Sequence, residues 1–201
     1  MKKYDFTVIG MVCSVQLLKV HSFPIAGRSE TVLNTDCCEN NFGGCSYNIF
    51  AGLAKLGARI YPAISSNSPS CTEELYRQCR EYGFPLDGLC RHDDDNWYHC
   101  IMLQDDNGSH QTLSLFCGKN AGVGESPGMQ ELKDAFFTDS EYVLIAVGDE
   151  RYREIIEKAE KYGAKIVYSY RNDPVLAPLE MLRALLPASS FLFTNEVEAE
   201  Y

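Results

Sequence analysis

Short apolar strands that alternate with amphipathic helices constrain the fold of this chain more than any other feature of its sequence. Several of the helices end at a glycine, which marks their boundaries. Such alternation implies right-handed crossover connections and a parallel sheet, with ligands bound at the carboxyl ends of its strands. The predicted buried strands are residues 4–9, which end at Gly10, and residues 59–64, 142–147, 165–170 and 190–194.

Two helices in the first half of the chain are predicted from their apolar stripes. The first turns Ile49, Leu53 and Leu56 toward the core. The second begins at Ser70, the first residue of a capping box, and buries an apolar face that includes Tyr82. Each helix therefore has one face with which to pack against the sheet.

The loop before the first helix contains two adjacent glycines. Gly43 and Gly44 allow the backbone to approach a ligand because no Cβ stands in the way. Asn48 follows four residues later and offers one acceptor and two donors from a single amide. This arrangement suits a ligand with several hydroxyl groups. It is also the pattern of an ordinary loop-to-helix junction, so the motif alone leaves both interpretations open.

Charge and hydropathy narrow the classes of partner. A net charge of −10 argues against nucleic acid or an anionic membrane as the main partner, because binding phosphate polymers requires a basic face. Small phosphate ligands remain possible, since backbone amides at a helix start can hold them. No apolar run approaches the roughly 20 residues that span a bilayer. The first residues lead directly into a strand without a signal peptide, which predicts a cytoplasmic protein.

The chain has nine cysteines, an odd number without a Cys-x-x-Cys pair. The odd number favours free buried thiols over a disulfide framework. Two groupings could be imagined around zinc, although neither has the spacing of a known ligand set: Cys37 and Cys38 with Cys45, and Cys90 and His92 with His99 and Cys100.

Two regions differ in character from the regular α/β pattern. Residues 11–40 are irregular and polar, with short β-like pieces such as residues 30–33. Within residues 90–117, two β-rich runs (97–103 and 110–116) are joined by residues 105–108, Asp-Asp-Asn-Gly, a strong hairpin signal. We expect these regions to form a small second sheet laid over the main domain.

Asn195 and Glu198 directly follow the last predicted strand. Their oxygen atoms are the hard ligands that Mg²⁺ accepts, often through water. Asn at a helix N-cap with Glu three residues later is also an ordinary capping box. The two interpretations predict different roles for Glu198, and the pair alone does not separate them.

Taken in order, the Gly43-Gly44 motif with Asn48 and the Asn195-x-x-Glu198 motif resemble two signatures of the ribokinase-like family, the phosphofructokinase-B type of carbohydrate and nucleoside kinase. The resemblance implies a three-layer α/β/α sandwich with a mostly parallel sheet, residues 1–201 forming one domain that is incomplete at its C-terminus. It also implies a β lid from about residues 11–40 and 90–117, which covers the sugar and can form a homodimer contact.

Site residues follow from the same resemblance. Gly43, Gly44 and Asn48 would bind the acceptor, a sugar or nucleoside-like small molecule. Asn195 and Glu198 would organise water around Mg²⁺ beside the phosphates of ATP. No catalytic residue is assigned within the chain, because the family's base is an aspartate in a Gly-Ala-Gly-Asp segment, which we expect beyond Tyr201.

Several positions depart from the family pattern. A sugar-binding aspartate is expected about five residues after the first strand, where the chain has Cys13, Val15 and Gln16. Ser169 stands where an aspartate often ends the strand. These changes leave the identity of the acceptor open.

Two earlier acidic residues are alternatives for the base. They are Asp149, which follows Gly148, and Glu125 within residues 122–125. Both precede Asn195 in the chain, unlike the family's base, and Asp149 is predicted to cap a helix. The sequence ends inside the first turns of a predicted helix, and we expect it to be a fragment of a longer kinase.

Three functions are compatible with these patterns. The first is an ATP-dependent kinase that, in its full-length form, phosphorylates a hydroxyl of a sugar or related small alcohol, the 201-residue chain itself being inactive. The second is a non-catalytic ligand-binding or regulatory protein that retains the fold, to which the lost aspartates point. The third is a generic α/β domain whose motifs are coincidental.

Overall fold

A computed structural model of the protein describes residues 2–66, 69–91, 97–117 and 131–200. No helix in these ranges has both the length and the apolar character needed to cross a membrane. The elements in chain order are β1 (Tyr4–Lys19), β2 (Asn40–Gly43), α1 (Cys45–Lys55), β3 (Ile60–Ser66), α2 (Pro69–Tyr82), β4 (Cys90–Arg91), β5 (Trp97–Gln104), β6 (His110–Cys117), α3 (Ala135–Thr138), β7 (Ser140–Val147), α4 (Tyr152–Tyr162), β8 (Lys165–Tyr170), α5 (Leu179–Ala188), β9 (Ser189–Phe193) and α6 (Glu196–Ala199).

The main sheet has the strand order β4-β3-β1-β7-β8-β9, and every neighbouring pair in it is parallel. All five predicted strands lie in this sheet. Because the strands are parallel, their carboxyl ends meet at one edge, which is where a ligand is expected.

Helices cover both faces of the main sheet. Strand β7 shows why, because Val143 and Ile145 enter one apolar cluster and Leu144 and Ala146 enter the other. Helices α1 and α2 pack in the Leu144 cluster, and α3, α4 and α5 pack in the Ile145 cluster. The predicted α/β/α sandwich is confirmed.

Strand β1 does not end at Gly10, as the sequence suggested, but continues to Lys19. Gly10 has φ 155°, and a Cβ there would lie 1.9 Å from Ser46 Oγ. The glycine therefore lets α1 pack closely on the strand instead of ending it. Strand β1 remains paired with β3 as far as Val12 and then leaves the main sheet to pair with β2 and β5.

A second sheet is built from β2, the later half of β1, β5 and β6. Strands β5 and β6 are antiparallel from Trp97 opposite Cys117 to Gln104 opposite His110. Residues 30–33 were expected to be β-like, but they form no strand and lie in the irregular segment between β1 and β2. Residues 92–96 of the expected lid segment lie outside the described residues. Whether this sheet acts as a lid stays a prediction.

The helix faces differ in detail from the predicted stripes. Helix α1 buries Ser46, Phe50 and Ala54, whereas Leu56 is 85% exposed. The true stripe is shifted by one residue, because Ser46 packs against Gly10 and sets the rotation of the helix. Helix α2 includes Pro69, so Ser70 lies inside its first turn.

Strand β9 is an edge strand with large exposed apolar side chains. Phe191 is 52% exposed and Phe193 is 60% exposed. Their register opposite Val167 and Ser169 of β8 places both on the same face of the sheet. An exposed apolar edge of this kind promotes association with other chains.

Candidate functional site

A cavity of about 540 Å³ lies between the carboxyl ends of the main-sheet strands and the second sheet. Gly10, Ala146 and Ser169 of the main sheet line it, together with Gly148 just after β7. Its volume is within the range of small-molecule sites, roughly 300–1,000 Å³. It occupies the edge of a parallel sheet where ligands bind in α/β proteins.

The predicted glycine loop lines this cavity. Gly44 has φ 107°, in the left-handed region that favours glycine, and a Cβ there would lie 3.2 Å from Cys13 Sγ. A Cβ at Gly43 would lie 2.9 Å from a methyl group of Val15. The glycines thus have a structural role, close packing of the loop on β1, besides any contact with a ligand.

Asn48 also lines the cavity and is exposed. Its backbone N–H donates to the Gly44 carbonyl over 3.0 Å, in the first turn of α1. Within the described part of the chain, its side-chain amide makes no hydrogen bond. The amide is accessible at the place expected for an acceptor ligand, and its binding role stays a prediction.

Asn195 and Glu198 form the capping box that was the alternative to a metal site. The N–H of Glu198 donates to Asn195 Oδ1 over 2.8 Å, and the N–H of Asn195 donates to Glu198 Oε2 over 3.0 Å. Glu198 also lines the cavity, and its Oε1 accepts from the N–H of Asn172 over 3.3 Å.

The donor set fits a hydrated ion better than a directly bound one. One carboxylate reaches the cavity, and no group of three metal-binding side chains is found among the described residues. Water-mediated contact with Mg²⁺ requires no such group, since the ion keeps several of its waters. A metal role for Asn195 and Glu198 remains a prediction.

The face of the second sheet toward the cavity carries sulfur and hydrocarbon together with the polar side chains of Asn41, Thr112 and His110. We call Cys13, Val15, Leu17, Cys100 and Met102 the sulfur-rich wall. Val15 pairs with Cys100 and Leu17 with Met102 in the parallel register of β1 and β5. Burial raises the pKa of the Cys13 and Cys100 thiols, which keeps both protonated at neutral pH.

Sequence reasoning identified Cys13 and Val15 as departures but missed Leu17, Cys100 and Met102. The signal was that residues 11, 13, 15 and 17 are all apolar, a period of two that indicates a strand continuing past Gly10. It also missed Arg171, which follows β8 and lines the cavity. A polar residue immediately after a parallel strand is the pattern that would have indicated it.

Asp149 is not in the cavity lining. It is 1% exposed, and its carboxylate pairs with the Arg151 guanidinium over 2.7 Å and accepts from the Arg151 N–H over 2.9 Å. The N-cap of α4 is Arg151, so the cap predicted for Asp149 was wrong by two residues. Residues 122–125, which contain the other alternative base, lie outside the described residues.

Among the described residues, Cys13, Cys37, Cys38, Cys45, Cys79 and Cys100 carry free thiols, as the sequence suggested. Of these six, Cys13, Cys79 and Cys100 are buried as expected, whereas Cys37 and Cys45 are partly exposed and Cys38 is exposed. The two groupings imagined around zinc form no metal cluster among the described residues, and His92 lies outside them.

No family model matches the chain, and no curated protein matches it. Solved structures do. The nucleoside kinase of Methanocaldococcus jannaschii, an archaeal member of the ribokinase family, has a TM-score of 0.68 at 20% identity over 99% of this chain and 63% of its own.

Two further solved structures are similar to this chain. Ribokinase from Giardia lamblia has a TM-score of 0.69 at 15% identity, covering 98% of this chain and 58% of its own. Arabidopsis thaliana ribokinase, complexed with ribose and ATP, has a TM-score of 0.65 at 16% identity, covering 97% and 61%. The chain spans about three fifths of the length of these structures. It therefore has the ribokinase-like α/β fold.

Proposed function

We propose that the full-length protein transfers the γ-phosphoryl group of ATP to a hydroxyl of a sugar or related small alcohol, with Mg²⁺. The observation that carries the proposal is the cavity, which brings Gly43, Gly44 and Asn48 to the same space as Glu198. Its place at the carboxyl ends of a parallel sheet supports a ligand site. The likeness to a ribokinase solved with ribose and ATP supports the class of reaction.

Each residue has a proposed role. The Gly43-Gly44 backbone and the Asn48 amide bind acceptor hydroxyls, while Glu198 and Asn195 organise the water shell of Mg²⁺. Phosphoryl transfer depends on positioning and on stabilising charge, with a base near the attacking hydroxyl. We propose that an aspartate beyond Tyr201 supplies that base. We also propose that residues 1–201 form one domain, with the second sheet as a lid and a possible homodimer contact.

A second candidate is a non-catalytic ligand-binding or regulatory protein with the same fold. Specific residues favour it, because Cys13 and Val15 provide no carboxylate on the cavity wall and Ser169 provides none at the end of β8. Such a protein would bind its ligand without turning over ATP.

Incubation of the full-length protein with ATP, Mg²⁺ and a panel of pentoses, hexoses and nucleosides separates the two candidates. Release of ADP that depends on one acceptor supports the kinase. Calorimetric binding of an acceptor without ADP release supports the second candidate, and absence of both overturns the assignment of the cavity. The 201-residue chain, run in parallel, should give only background turnover.

A further inference from the structure

Arg171 is the only lysine or arginine among the described residues that line the cavity. It directly follows β8, at the carboxyl end of a parallel strand, and its side chain is half-buried. Within the same described lining, Glu198 supplies the one carboxylate. Solvent screens a cation in such a cavity less than a cation on the surface, so Arg171 acts more strongly on a charged ligand.

Hydrogen bonds within the loop after β8 fix the backbone around Arg171. The Arg171 carbonyl accepts from the N–H of Asp173 over 2.8 Å. The Asp173 carboxylate accepts from the N–H groups of Val175 and Leu176, each over 3.1 Å. The loop also packs on the end of β7, because a Cβ at Gly148 would lie 2.1 Å from the Leu176 carbonyl oxygen. Arg171 is therefore held at the cavity before any ligand binds.

Arg171 has the carboxylate of the cavity on one side and the glycine loop on the other. The N–H of the next residue, Asn172, donates to Glu198 Oε1 over 3.3 Å. Burial raises the pKa of the Cys13 thiol, and the positive charge of Arg171 opposes that shift, so the guanidinium acts on this part of the cavity wall. The Cys13 sulfur lies in turn 3.2 Å from a Cβ built at Gly44.

We propose that Arg171 is a catalytic residue, which stabilises the negative charge on the γ-phosphoryl group as it passes from ATP to the acceptor. The inference rests on the proposed function, because it concerns the reaction in the same cavity. During transfer the charge spreads over three equatorial oxygens of the phosphoryl group. A guanidinium is planar and always charged, and it can donate to two such oxygens at once.

The step balances with the groups already proposed. The acceptor oxygen forms a bond to the γ-phosphorus, while the bond from that phosphorus to the β,γ-bridging oxygen breaks and its electron pair leaves on ADP. The proton of the acceptor hydroxyl passes to the carboxylate base that we propose beyond Tyr201. Arg171 exchanges no proton and contributes only charge and hydrogen bonds.

The departures from the family pattern suit this role. Ser169 ends β8 two residues before Arg171, and a carboxylate there would lower the positive potential beside the guanidinium. Cys13 and Val15 likewise add no negative charge to the wall. The described lining therefore carries one guanidinium against one carboxylate, which repels a triphosphate less than an acidic cavity would.

Binding of MgADP to the full-length protein, with and without aluminium fluoride, tests the inference without turnover. Aluminium fluoride on ADP is a planar mimic of the phosphoryl group in transfer, and the panel of sugars and nucleosides is present throughout. We expect the mimic to tighten binding to wild type by about 10²-fold or more, as transition-state analogues do. Arg171→Gln should lose most of that gain while its affinity for MgADP alone stays the same. A gain that Arg171→Gln retains would overturn the inference.

Steady-state kinetics gives a second readout. Arg171→Gln should lower kcat by roughly 10³-fold or more with an unchanged KM for the acceptor, the pattern of an interaction made only in the transition state. Arg183→Gln, at an exposed residue outside the cavity lining, is the control and should change neither quantity. A raised KM with an unchanged kcat would show that Arg171 binds an anionic acceptor, which contradicts the inference.

Arg171→Lys keeps the positive charge but not the planar pair of donors. It should lose part of the aluminium fluoride gain and part of kcat, with a melting temperature close to that of wild type. This variant also decides the question if Arg171→Gln fails to fold. Wild-type values of both quantities in Arg171→Lys would then overturn the inference.

Failure of this inference differs from failure of the proposed function. Turnover by wild type together with an intact gain in Arg171→Gln supports the kinase and overturns the inference. A gain that Arg171→Gln abolishes, without turnover of any acceptor in the panel, supports the inference and overturns the proposed class of acceptor. Absence of the gain in wild type overturns the inference, whatever the turnover.

Discussion

Glu198 and Asn195 hydrogen-bond to each other in both directions, over 2.8 and 3.0 Å, while Glu198 also faces the cavity. One carboxylate can thus cap a helix and remain within reach of a ligand. The capping and metal-binding interpretations of the motif are compatible, and only a measurement that involves Mg²⁺ separates them.

Glu198→Gln in the full-length protein should lower turnover strongly and raise the Mg²⁺ concentration needed for half-maximal rate. Gln still serves as the third residue of a capping box, so the melting temperature should change little. Glu196→Gln, in the same helical turn but outside the cavity lining, is the matched control. Identical Mg²⁺ curves for wild type and Glu198→Gln would leave Glu198 as a helix cap alone.

Gly44→Ala should destabilise the protein by about 1–2 kcal/mol in urea unfolding. Gly44 has φ 107°, which is strained for alanine, and the added methyl group would lie 3.2 Å from Cys13 Sγ. Gly52→Ala, in the middle of α1 with open space around the added methyl group, should instead stabilise by roughly 0.5–1 kcal/mol. Similar effects of the two substitutions would show that the loop conformation is not what requires glycine at position 44.

Arg151→Gln should cost about 3–5 kcal/mol of unfolding free energy, because it leaves the buried Asp149 carboxylate without its cation. The exposed Arg153→Gln, two residues along the same helix, should change stability by less than about 0.5 kcal/mol. Chemical denaturation of both variants measures the difference. A small loss for Arg151→Gln would mean that the Asp149 carboxylate has another partner.

Stability should fall as pH rises above about 9. Burial raises the pKa of Cys79 to about 12 and also raises that of Cys13. In the unfolded chain these thiols ionise near pH 8.5, so the unfolded state binds fewer protons than the folded state above that value. The stability that these protonated thiols contribute is fully present below their pKa in the unfolded chain and is lost as pH rises toward 12.

The Cys79→Ala variant checks this origin of the pH dependence. It should lower stability at pH 7, because a buried side chain is shortened, but should reduce the slope of unfolding free energy against pH between 9 and 11. Urea unfolding at four pH values measures both quantities. An unchanged slope would assign the alkaline loss to other groups, such as Tyr168, whose pKa is also raised by burial.

Phe193→Lys should raise the solubility of the 201-residue chain and lower its self-association in light scattering. The residue is 60% exposed on an edge strand, where a lysine opposes pairing with another chain. Leu56→Lys, at a residue that is 85% exposed but just past the end of α1, should have a much smaller effect. Equal effects would show that the edge strand is not the site of association.

Local patterns in the sequence determined the parallel sheet, the hairpin after Trp97 and the glycine loop. Each depends on periodicity or turn chemistry within about ten residues, which the chain carries wherever it is placed. The position of Glu198 after the last strand was equally readable, because that strand ends at a fixed edge of the sheet.

The tertiary structure alone decided which residues meet at the cavity. Strand β1 continues past Gly10 because it pairs there with β2 and β5, two distant parts of the chain, while α1 packs on the glycine through Ser46. That continuation pairs Val15 with Cys100 and builds the sulfur-rich wall. Register between strands so far apart in sequence is set by packing and pairing together, which no local pattern records.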